Sequence, residues 1–159
     1  MPALPPPVRA LTAAVRDGVA AAGRATAAPS AAGEVAAFED AAGRLAALDP
    51  VLVADVLGGT VRSLLEERHP DGLDAEDFRT VLEDSARGAG WAGADPEVLL
   101  VVLAGALGLT ADEPPAVPPA AVARHALLLL AHLTGGTPPT AHLDAAVAEL
   151  ARAQTVEMP

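Results

Sequence analysis

The chain has no cysteine, which excludes a disulfide framework and thiolate chemistry. It also lacks tyrosine, isoleucine, lysine and asparagine, and carries only two Phe and one Trp. The missing types have AT-rich codons, so the composition points to a high-GC bacterial genome. The absence of lysine then reflects codon usage before chemistry. Positive charge is scarce as well: ten Arg stand among 21 acids, for a formal charge of −11. A nucleic-acid binder needs a cationic face to displace counterions from phosphate, and scattered Arg do not make one. Anionic membrane surfaces are disfavoured for the same reason. The acidic balance serves solubility first and leaves room for a basic protein partner.

No long hydrophobic run is present. The longest uncharged apolar stretch covers residues 98–111, short of the roughly 18 to 20 needed to cross a bilayer. Residues 1–7 are Pro-rich and lack the basic-then-apolar order of a signal peptide. These features predict a soluble cytoplasmic protein.

What the chain has in quantity is Ala, Val and Leu, at helical spacing. Val8, Leu11, Val15 and Val19 form one stripe, ended by a break over residues 23–30. Val35, Phe38, Ala42 and Leu45 share a face of a second segment. The triplet AAG recurs at Ala21, Ala31 and Ala41, but ten residues rotate a helix face by about 80°, so the repeat holds no continuous seam. Asp49-Pro50 starts a helix with a capping side chain followed by Pro. Its stripe is Val53, Leu57, Val61, Leu64 and Leu65, with Gly58-Gly59 as a place for a kink or a close crossing. Asp74 and Asp77 resemble a capping box ahead of Phe78, Val81 and Leu82. Asp95-Pro96 opens an apolar run to Leu107 that shows no polar face and so predicts burial all round. Residues 109–119 are an acidic, Pro-rich connection. A further helix over 120–133 carries the block Leu127 to Leu130, and a last one starts at Thr137 or Thr140 and frays from Gln154.

The expected fold is therefore all-α: a single bundle of about six to seven helices around two central apolar ones, 98–107 and 120–133. Residues 1–48 read as an Ala-rich helical hairpin, loosely attached through a joint near 46–50, and residues 49–159 as the bundle core.

No chemical motif survives a spacing test. There is no phosphate-binding GxxxxGK[ST], no GxGxxG after a strand and no GxSxG elbow. His125 and His132 are seven apart, about 10.5 Å along a helix, too far to share a zinc ion. The acids at 66–84 miss the ligand positions of a calcium loop, and capping accounts for them. Residues 103–110 begin like a helix-turn-helix, but Asp112-Glu113-Pro114-Pro115 stand where a recognition helix should follow. The three serines, Ser30, Ser63 and Ser85, fit no nucleophile motif. No metal or cofactor is expected.

Four residues are left as candidate binding positions. Trp91, the only Trp, sits in a Gly-rich break and would serve either as a contact anchor or as a cover over one end of the bundle. His125, His132 and His142 are candidates only where the fold brings them together. The leading expectation is a non-catalytic interaction or accessory subunit that meets a protein partner or a second copy of itself. Two alternatives are a small-molecule-binding or sensor domain, with a pocket near 127–130 and 98–102, and a His-dependent enzyme.

Overall fold

The computed structural model describes residues 3–109, 112–113 and 115–157. Among these residues the chain forms seven α-helices and one short 3-10 turn, with no strand. The helices are α1 (Pro6–Ala27), α2 (Ala32–Ala46), α3 (Pro50–Arg68), α4 (Ala75–Gly88), α5 (Pro96–Ala106), α6 (Pro119–Thr134) and α7 (Thr140–Glu157). The 3-10 turn, Gly90–Ala92, joins α4 to α5. The architecture is a multi-helix bundle, as the apolar periodicity predicts.

The starts of several helices follow from their capping chemistry. Asp49 accepts from the Val51 N–H and Asp95 from the Glu97 N–H, each at 2.9 Å. Asp74 and Asp77 form a reciprocal capping box: the Asp77 N–H donates to Asp74 at 2.8 Å, and the Asp74 N–H donates to Asp77 at 3.2 Å. Such side chains satisfy donors that the first helical turn leaves free. Gly135 ends α6 at φ 66°, the left-handed conformation that glycine adopts without strain.

α6 is the helix on which the others converge, packing against α1, α2, α3, α4 and α5. Its residues Ala123 and Leu127 to Leu130 are buried, as expected for its dense apolar block. α5 differs. Leu99, Val102, Leu103 and Ala106 are covered, but Leu100 is 42% exposed. The reason is position: α5 lies against α3, α4 and α6 and leaves its other side to solvent. The Ala-rich helices α1 and α2 pack along each other and against α6. They give Leu11, Val15, Val19, Phe38 and Leu45 to the same hydrophobic cluster as the rest.

Two boundaries differ from the sequence expectation. α1 does not stop at Gly23 but runs on to Ala27. Gly23 stays helical because its bare Cα meets Gly136, where a Cβ would lie only 2.5 Å from the Gly136 Cα. At the other end, α7 continues through Gln154 to Glu157. Gly59 of α3 makes the anticipated close crossing, since a Cβ there would sit 3.4 Å from the Ala146 Cβ of α7. The helix-turn-helix comparison falls partly on residues 110, 111 and 114, outside the described residues. No helix among the described residues is long and apolar enough to cross a membrane.

Candidate functional site: an apolar cleft and three polar constellations

A cleft of about 530 Å³ lies between α3, α5 and α6, with Leu45, Leu48 and Val117 also on its wall. α3 supplies Val51, Ala54, Leu57 and Gly58, α5 supplies Val101, Val102 and Gly105, and α6 supplies Val122, Ala123 and Ala126. Among the described residues Asp55 is the one charged side chain on the wall, and it is exposed. The cleft arises where small side chains fall on facing helices. Ala123 and Ala126 of α6 and the glycines of α3 and α5 leave a gap that Val and Leu line but do not fill. A Cβ on Gly58 or Gly105 would meet nothing within 4 Å. The volume is within the range of roughly 300 to 1,000 Å³ typical of ligand sites, and such sites are mostly apolar with a few polar groups. Val101 and Val102 fall in the region anticipated for a pocket, whereas Leu127 to Leu130 lie in the core and do not line it.

The four candidate polar residues divide among three places. Trp91 and His132 line one small cavity of about 160 Å³, with Thr26, Ser85 and the glycines 23, 88, 135 and 136. The Trp91 ring meets Phe38 edge-on, with centroids 5.2 Å apart and planes at 83°. Its indole N–H donates to Thr26 Oγ1 at 3.0 Å. Arg124 fixes this corner from the side. It grips Glu39 through two nitrogens, donates to the Ala92 carbonyl at 2.6 Å and lies 5.7 Å from the Phe38 ring centre. Trp91 is half-buried and held by Phe38 and Thr26. Ser85 Oγ is buried and has no hydrogen-bond partner within the described chain. Burial, reinforced by the Arg68 charge and opposed by Asp84, pushes the His132 pKa below its ordinary value.

His125 stands elsewhere. Its Nε2 accepts the Asp95 N–H at 3.0 Å, and its Nδ1 lies 2.8 Å from the Ala121 carbonyl. A backbone N–H can only donate, so Nε2 carries no proton and Nδ1–H donates to Ala121. The ring thus holds the residue that caps α5 against α6. Burial lowers the His125 pKa, and the hydrogen bond to Ala121 opposes that in part. Protonation at Nε2 would also turn its acceptor into a donor facing Asp95 N–H.

His142 forms the third constellation. On the first turn of α7, it reaches α3 and joins two residues one turn apart there. Its Nδ1 lies 2.7 Å from Ser63 Oγ, and its Nε2 lies 2.6 Å from Glu67 Oε2. Sequence reasoning missed Ser63 and Glu67. Their spacing of four puts them on one helix face, but that spacing is common, and only the α3–α7 crossing at Gly59 and Ala146 brings the imidazole between them. The three histidines do not converge. Among the described residues no group of three or more His, Cys, Asp or Glu side chains is arranged to hold a metal ion.

In comparisons with known proteins, no family model matches the chain, and no curated protein or solved structure is significantly similar to it.

Proposed function

We propose that the protein is a small-molecule-binding helical domain whose ligand is a predominantly aliphatic compound held in the cleft between α3, α5 and α6. The observation that supports this reading is the cleft itself, about 530 Å³ with a wall of Val, Leu, Ala, Pro and Gly and a single carboxylate. Covering apolar wall with ligand removes it from water at roughly 25 cal/mol per Å², without the cost of stripping polar groups. A thermal-shift series with medium-chain alcohols tests it. A ligand at one hundred times its Kd stabilises the folded state by about 2.7 kcal/mol. At about 2 to 4 °C per kcal/mol for a chain of this size, the melting temperature rises by roughly 5 to 11 °C. No rise across the series removes the reading.

A second reading keeps the chain as a non-catalytic interaction subunit that meets a protein partner or another copy of itself. Its support is the exposure of Val51 (66%), Leu100 (42%) and Leu109 (58%), on or just after the helices that frame the cleft. Scattered exposed apolar residues are ordinary on monomers, so this support is the weaker. Solution mass decides it: a dimer or larger assembly is expected, and a monomer at high concentration counts against self-association.

A further inference from the structure

We propose that Ser63, His142 and Glu67 form an acyl-transfer site for small activated esters, separate from the aliphatic cleft. The proton positions follow from the partners. A carboxylate only accepts, so the neutral His142 ring carries its proton on Nε2 and donates it to Glu67 across 2.6 Å. Nδ1 is then the acceptor, and the hydroxyl of Ser63, 2.7 Å away, donates to it. This is the order a nucleophile needs: hydroxyl to base, and base to an orienting carboxylate. The ring nitrogens exchange places relative to the usual triad, but the roles depend on geometry and not on atom names.

Access and free backbone donors are also present. Ser63 and His142 are half-buried and Glu67 is exposed, so a small substrate reaches the hydroxyl from solvent. His142 lies in the first turn of α7, which follows Pro138-Pro139. The Thr140 N–H bonds the Pro138 carbonyl and the Leu143 N–H bonds the Pro139 carbonyl, but the N–H groups of Ala141 and His142 have no acceptor within the described chain. These donors begin an 18-residue helix, where the dipole favours negative charge. They lie only a few bonds from the imidazole that touches Ser63. In the proposed site these two N–H groups are the donors that would receive an oxyanion on an acyl group at Ser63.

The chemistry balances without a cofactor. Ser63 Oγ attacks the ester carbonyl carbon, forming a C–O bond while its proton passes to His142 Nδ1. The tetrahedral adduct collapses, the bond to the leaving oxygen breaks, and Nδ1–H returns the proton to give the free alcohol or phenol. Water then attacks the acyl-Ser63 ester with its proton taken by Nδ1. The carboxylic acid leaves as Ser63 recovers its hydrogen. Glu67 is a positioning residue that holds the ring and stabilises its transient positive charge.

The test is labelling with a small fluorophosphonate, in which Ser63 Oγ forms the P–O bond and fluoride leaves, followed by peptide mapping. The chain has only three serines, and the exposed loop residue Ser30 is an internal control. Ser63 should label at least about 100-fold faster than Ser30, in line with the contribution of a positioned general base. His142→Ala should bring Ser63 down to the Ser30 rate. His142→Gln, which keeps a polar side chain against α3, should do the same if His142→Ala perturbs folding. Glu67→Gln should slow labelling and move the downfield proton resonance of the His142 Nε2–H upfield, a signature that loss of packing alone does not give. Hydrolysis of p-nitrophenyl acetate should be above background in the wild type and lost in Ser63→Ala. Labelling of Ser63 no faster than Ser30, or unchanged in a folded His142 variant, overturns the proposal.

Discussion

Replacing Gly23 by alanine sets two opposite effects against each other at one site. Gly23 lies inside α1, where Ala is worth about 1 kcal/mol more than Gly. Propensity alone therefore predicts a more stable protein. Packing predicts the reverse. A Cβ at Gly23 would stand 2.5 Å from the Gly136 Cα, and a Cβ at Gly136 would stand 2.7 Å from the Gly23 Cα. Carbon atoms in favourable contact are about 3.5 to 4.0 Å apart, so the two backbones must separate by about 1 Å. Neither side is a rotatable side chain, and Gly136 is held at φ 87° just after α6. Overpacking costs about 1 to 3 kcal/mol, and contact with backbone places this site at the upper end. The net loss is about 1 to 2 kcal/mol, a fall in melting temperature of roughly 2 to 8 °C. Gly43→Ala is the control, inside α2 with nothing within 4 Å of the new Cβ. It should stabilise by about 0.5 to 1 kcal/mol. Thermal melts followed by circular dichroism, with urea titrations alongside, read both variants. A Gly23→Ala protein as stable as the wild type would refute the close α1–α6 approach, and a destabilised Gly43→Ala would refute the propensity reasoning.

Leu127→Ala removes a fully buried side chain from the centre of α6 and should cost about 2 to 5 kcal/mol by urea denaturation, since the surrounding helices close the gap only in part. Stability should also fall in mild acid. The folded-state pKa values of His125 and His132 lie below the ordinary 6.5, so as pH falls through about 6.5 the unfolded chain takes up these protons first. The contribution is complete above that value and is lost toward the lowered folded values. Melting temperatures between pH 7.5 and 5 should show this fall, and His125→Gln should flatten it; an unchanged slope would remove His125 as its source.

Much of the fold was legible because capping and periodicity are local. Asp49, Asp74 and Asp95 announce α3, α4 and α5, and each does so with its own side chain. What was not legible depends on where helices meet. Gly23 reads as a breaker, yet α1 passes through it because Gly136 occupies the space a side chain would need. The apolar run of α5 reads as central, yet its position on the flank leaves Leu100 exposed. The site was harder still. Trp91 and His132 were both singled out, but their shared cavity joins segments 41 residues apart through the packing of α4 and α1 on α6. Ser63 and Glu67 carried no signal, since a serine and a glutamate four apart on a helix are ordinary until His142 arrives from α7. The aliphatic cleft is defined by missing volume, and a sequence shows which side chains are small but not which small ones face each other.

The cleft is the central claim, and it can be filled without strain. Gly58 and Gly105 line it, and a Cβ at either position meets nothing within 4 Å. Gly58→Leu and Gly105→Leu therefore place an isobutyl group in the ligand space, and each removes a glycine from a helix. The decisive measurement is a fluorescence titration with N-phenyl-1-naphthylamine, a neutral apolar probe whose emission rises when it leaves water. The wild type should bind the probe saturably, and both leucine variants should keep or raise their melting temperature and lose at least about tenfold in affinity, equivalent to 1.4 kcal/mol. Saturable binding that is equally tight in the two variants, or no binding to the wild type at all, would contradict the account.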